Sequence, residues 1–219
     1  MRNPIFDIMK GIGIIAVIFG HVPFPETLIP IRTFIFSWHM PLFFVISGFF
    51  FSNKDITKSI KSNFRSLVVP YFITAIIMFL FAVAYHIVGI RYGYVNSFWG
   101  IIIGAGTGNL PNYGQYFVGA IWFLQALFWC KFIYNLIYII VKGKKIPIII
   151  ITLLLSFVAT YTAKYIYIPT NLLQGISAMI FYLFGNLCNS IKYQVSSIDM
   201  YNSSVYTFKF QYCWADVYG

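Results

Sequence analysis

Residues 3–25, NPIFDIMKGIGIIAVIFGHVPFP, set Asp7, Lys10 and His21 into a run dominated by Ile, Val, Phe, Met, Ala and Gly. On an α-helix, Lys10 and His21 lie eleven positions apart, which separates them by roughly 20° in azimuth and about 16 Å along the axis. Asp7 projects within about 40° of His21, so one stripe carries an acid, a base and an imidazole at different heights. A charge at the centre of a bilayer costs on the order of 3 kcal/mol even on the mildest scale, so the stripe is expected to face other helices or a wet cavity. A secretory leader does not fit, because PFPE stands where a small-residue cleavage site belongs and further apolar spans follow. Pairing or snorkelling of Asp7 and Lys10 at the membrane surface, with His21 as an interfacial residue, stays open from this stretch alone.

Composition places the whole chain in the same class. Of its 219 residues 60% are hydrophobic, 21% aromatic and only 9% charged, as in a polytopic membrane protein rather than a soluble domain. The fold class expected is all-α, a membrane helix bundle of about six transmembrane helices. The net charge of +10 reads as loop charge that sets orientation, and nucleic acid is excluded as a partner because the apolar runs leave no exposed basic surface for it. Cys130, Cys188 and Cys213 have no metal-ligand spacing, and no metal is expected.

The second span is IRTFIFSWHMPLFFVISGFFF, residues 31–51, with His39 and Pro41 in its first half and Ser47-Gly48 lower down as a close-packing pair. The loop SNKDITKSIKSNFRS, residues 52–66, sets Lys54, Lys58, Lys61 and Arg65 against Asp55 alone and marks a cytoplasmic end. Spans at about 67–88, 120–141, 146–168 and 171–191 follow, with Gly175 and Gly185 as packing contacts in the last. The connection from Ile90 to Gly119 is glycine-rich and reads as an outer loop, re-entrant only if protein or water covers its backbone. With the amino terminus inside, nine basic residues of the connections fall inside (Arg2, Lys54, Lys58, Lys61, Arg65, Lys142, Lys144, Lys145, Lys192) against Arg32, Arg91 and Lys164 outside. That distribution satisfies the positive-inside rule and places both termini in the cytoplasm. His21 and His39 then both approach the outer leaflet, joined by a short connection that lets them share one cavity. Residues 193–219 have no span-length apolar run and are set apart from 1–192 as a tail.

Four segments resemble the acyltransferase-3 family of integral-membrane acyltransferases. Lys10 and His21, with ten residues between them, match a basic-to-histidine pair in its first span, and FFVISGFFF matches the Phe-rich end of its second. FRSLVVPYF, with Arg65 and Pro70, is similar to the entry of its third span, and AIWFLQALF to its Trp-Phe-Leu segment. His39-Met-Pro is most similar to the branch that includes fucose 4-O-acetylase-like enzymes. Members typically move acetyl groups onto sugars of surface polysaccharides and continue to about ten spans, so the resemblance implies a C-terminally truncated or frame-shifted member.

The resemblance implies a cell-membrane O-acyltransferase that takes an acetyl group from acetyl-CoA to a sugar or polysaccharide hydroxyl. Acetyl transfer to a hydroxyl needs a group that takes the hydroxyl proton, for which an imidazole is suited. His21 is the candidate base. His39 is a second base, an orienting partner, a sugar ligand or a structural residue. Lys10 and Arg65 are the candidate cations for the phosphates of coenzyme A, Asp7 neutralises Lys10, and Trp122 is either a sugar platform or an interfacial belt residue. Ser47 reads as packing, since nothing in the sequence supplies it with a base. Two other readings remain: an inactive fragment of such an enzyme, and a transporter-like protein with an Asp7–Lys10–His21 ion relay, which predicts internal repeats that the sequence does not show.

Overall fold

The computed structural model describes residues 4–22, 25–89, 98–105 and 118–190. Helix α1 (Pro4–His21) and helix α2 (Ile29–Phe49) form an antiparallel hairpin. Their seam has a period of seven residues. Phe6 packs on Phe50 with ring centroids 4.7 Å apart, Gly13 receives the ring of Phe43, and Gly20 receives that of Phe36. Phe36, Phe43 and Phe50 thus repeat every seven residues against Gly20, Gly13 and Phe6, the spacing that keeps one seam facing a partner along two supercoiled helices. Glycine is what lets a phenyl ring lie on the α1 backbone: a Cβ at Gly13 would stand 2.8 Å from Phe43.

The stretch 52–66, expected as a loop, is helical from Ile56 onward. Helix α3 (Ile56–Asn63) runs through a π-helical turn (Phe64–Val68) into α4 (Val69–Ile87). Pro70 explains the turn, because it has no N–H for the carbonyl of Ser66 and its ring crowds that carbonyl. The ladder shifts by one residue, and the Val69 N–H reaches back to the carbonyl of Phe64. Part of the expected outer loop is folded back into the bundle. The short helix α5 (Phe98–Ile103) buries Ile101 beside Tyr71 and Ala75 of α4, and the Tyr71 hydroxyl donates to the Ile101 carbonyl at 2.9 Å.

Helix α6 (Trp122–Ile140) is the hub. Its buried face, Ala126, Cys130, Tyr134 and Ile137, meets Met179, Tyr182 and Leu183 of the last helix and Ile148 of α7 (Lys145–Thr162). The expected sixth span is broken into α8 (Leu172–Ser177) and α9 (Met179–Ser190), bent by 49°. Five helical segments are therefore long and apolar enough to cross a membrane, or six with the bent pair as one span. The small residues read as packing contacts act as such. A Cβ on Gly48 would fall on the backbone carbonyl of Tyr182, one on Gly185 on that of Val45, and one on Gly175 on that of Ala126, so α2 meets α9, and α8 meets α6, backbone to backbone. The outward faces are apolar, with Phe157 of α7 74% exposed and Ile15 of α1 68% exposed, surfaces that suit hydrocarbon and not water. Among the described residues every regular element is helical, an all-α membrane bundle. The tail 193–219 lies outside the described residues.

Candidate functional site

His21 closes the last turn of α1 with its ring exposed, and His39 lies inside α2 with 1% of its surface exposed. The two imidazoles are held alike. His21 Nδ1 is 2.8 Å from the carbonyl of Val17, and His39 Nδ1 is 2.7 Å from that of Ile35. A carbonyl only accepts, so each Nδ1 carries a proton, and in the neutral ring of this tautomer the lone pair is on Nε2. His39 Nε2 is buried without a hydrogen-bond partner among the described residues, as is the neighbouring Trp38 Nε1. Pro41 opens the helix beside them, since it has no N–H for the carbonyl of Ser37.

Phe36 joins the two histidines. Its ring centroid is 5.3 Å from that of His21 and 5.1 Å from that of His39, which meets it edge-on at 86°. Arg32 lays its guanidinium 5.4 Å from the same ring. The short connection between the helices made the nearness of the histidines readable from sequence. Neither the intervening ring nor Arg32 was readable, because a Phe in a Phe-rich span carries no distinguishing signal.

The residues after His39 border a cavity of about 500 Å³, with Met40, Pro41, Phe44 and Trp122 among its walls. That is the size and largely apolar character of a small-molecule site. Two buried polar atoms there, Gln174 Oε1 and Ser177 Oγ, have no partner among the described residues. Trp122 is half-buried, packs against both core clusters and forms a wall of this cavity.

Lys10 and Arg65 stand away from the histidines. Lys10 is exposed, its ammonium 5.8 Å from the centroid of Phe50 at the far end of the α1–α2 hairpin. Arg65 is exposed on the π-helical turn. The structure brings His21 to His39, and Trp122 to the residues following His39; Lys10 lies mid-way along α1, well removed from His21 at its end.

A buried polar knot escaped the sequence reading. Asn171 Nδ2 donates to the Gly104 carbonyl at 2.7 Å and to Gln125 Oε1 at 2.8 Å, and the Tyr167 hydroxyl donates to the Ile103 carbonyl at 3.0 Å. Asn171 adopts φ +57°, a left-handed conformation that asparagine tolerates. The knot ties the folded-back connection to α6 at Gln125, three residues after Trp122. Its only sequence signal is a lone Gln in AIWFLQALF.

Residues 3–205 match the model of a family described as an acyltransferase domain. No curated protein and no solved structure matches the chain. The matched region ends within the stretch 193–219 that the sequence reading sets apart.

Proposed function

Because the chain belongs to the acyltransferase-3 family, we propose that it transfers an acetyl group from acetyl-CoA to a hydroxyl of a cell-surface or cell-wall sugar, in the cell membrane and with both termini cytoplasmic. The observation that carries this reading is the shared tautomer of His21 and His39, which leaves two Nε2 lone pairs around one phenyl ring. His21 takes the proton of the acceptor hydroxyl at Nε2 while that oxygen bonds to the thioester carbonyl carbon. The C–S bond then breaks, and the departing thiolate takes the proton from the imidazolium, so atoms and charge balance. His39, one residue before the cavity-lining Met40, is a second base or an orienting partner. Trp122 and the apolar cavity suit the face of a sugar ring, whose C–H bonds pack on an aromatic plane. The Lys10 ammonium and Arg65 lie toward the opposite end of the bundle, suited to the phosphates of a donor arriving from the other side.

The test replaces each histidine by Gln in the full chain and follows transfer of labelled acetyl from acetyl-CoA to a polysaccharide acceptor in membrane vesicles. His21→Gln should reduce transfer by about 100-fold or more, the usual share of a positioned acid–base group. Membrane insertion should be unchanged, since glutamine keeps an uncharged polar side chain of similar size at the exposed end of α1. Near-parental transfer by His21→Gln together with loss in His39→Gln would move the base to His39; near-parental transfer by both would sink the reading.

A further inference from the structure

At the end of the bundle away from the histidines, the end of α2, helix α3, the π-helical turn, α6 and α9 enclose a polar recess of about 90 Å³. Its walls include Lys54, Lys131, Asn63, Asn135, Ser59 and Ser66, and no acidic side chain lines it. Space of this size holds a few waters or one tetrahedral phosphoryl group of a larger ligand.

The two lysines are brought together by the fold. Lys131 is half-buried on α6, and Asn135, one turn further along, binds the backbone of Lys54: its Nδ2 donates to the Lys54 carbonyl at 2.9 Å, and the Lys54 N–H lies 3.4 Å from its Oδ1. Both lysines line the recess. Asp55, next to Lys54 in sequence, is engaged elsewhere, 3.9 Å from Lys58 with both side chains exposed. Like charges in a partly desolvated recess are unfavourable until a counter-charge joins them. The remaining walls add donors. Asn63 Nδ2 donates to Ser59 Oγ at 3.3 Å, which leaves the Ser59 proton for an acceptor.

We propose that this recess is a binding site for a phosphate-class oxyanion, held between Lys54 and Lys131. The inference needs only the charge and donor balance of the recess and is independent of acetyl transfer. A phosphorylated soluble ligand and a phospholipid headgroup share the required chemistry.

The test uses the purified full chain in phosphatidylcholine nanodiscs, with inorganic pyrophosphate as probe and the midpoint of thermal unfolding as readout. Pyrophosphate should raise the midpoint of the parent, and Lys131→Gln and Lys54→Gln should each weaken the apparent affinity at least 10-fold, whereas Lys164→Gln, outside the recess, should not. Gln at position 131 removes a half-buried charge, so the variant should fold. In discs containing phosphatidylglycerol, a weaker pyrophosphate response in the parent alone identifies a lipid headgroup as occupant, and an unchanged response identifies a soluble phosphate. Equal pyrophosphate responses in the parent and both lysine variants, or none in the parent, would overturn the site. The readout contains no acyl donor, so it stands or falls separately from the histidine substitutions.

Discussion

His21 and His39 belong to antiparallel helices, yet both rings rest against one phenyl group, that of Phe36. The arrangement follows from the seven-residue seam: Gly20 admits the Phe36 ring to the α1 backbone, and the next residue, His21, must then lie on its flank. The spacing of the two imidazoles is therefore a property of the helix seam rather than of the connection between the helices.

Phe36→Leu keeps the site apolar but removes the spacer. Acetyl transfer should fall by about 10- to 100-fold, as expected when catalytic groups move by about an ångström, with the KM for acetyl-CoA unchanged. An unchanged kcat would show that the ring does not set the position of either histidine.

Gly48→Ala places a methyl on the Tyr182 backbone, where no flexible side chain can yield. Overpacking of this kind costs about 1–3 kcal/mol, and the unfolding midpoint in detergent should drop. Gly11→Ala is the matched control, since a Cβ there meets nothing within 4 Å and alanine favours helix by about 0.8–1 kcal/mol. A midpoint for Gly48→Ala at or above that of Gly11→Ala would remove the backbone-contact explanation.

Asn171→Gly keeps the left-handed backbone accessible while deleting the amide. Gln125 Oε1 and the Gly104 carbonyl then lose the donor they share, at about 1–3 kcal/mol for each polar group left unsatisfied. Hydrogen exchange of the amides around Gly104 should accelerate markedly. Parental protection there would mean that the knot does not anchor the folded-back connection.

Orientation is checked by reporter fusions after Lys58 and Lys144, both of which should read cytoplasmic. A reporter active outside at either position would invert the assignment of donor and acceptor ends.

The apolar spans were legible because some 20 consecutive apolar residues have few alternatives to crossing a membrane, and Gly48, Gly175 and Gly185 were legible as small residues within such runs. Helix α3 was not, since Lys54 to Ser66 reads as polar loop and its helicity comes from docking on α6 and the π-helical turn. The bend between Ser177 and Met179 has no proline to announce it. At the site, the short connection placed His21 near His39, but the tautomers depend on Val17 and Ile35 carbonyls that sequence does not single out. Gln125 and Asn171 meet only because Thr170 and Asn171 turn left-handed, a pairing no local pattern encodes.

The contacts of Gly48 with the Tyr182 backbone and of Gly185 with the Val45 backbone also impose an order on synthesis. Helix α2 emerges with its α9-facing groove bare, and the helix that fills the groove is translated about 140 residues later, a delay of roughly 7–30 s at 5–20 residues per second. During that interval the hairpin bearing both histidines rests on its own seam and, once α6 is made, on the Phe123 ring that meets Phe43 and Phe44. The nascent chain thus carries His39 before the bundle that buries it is complete.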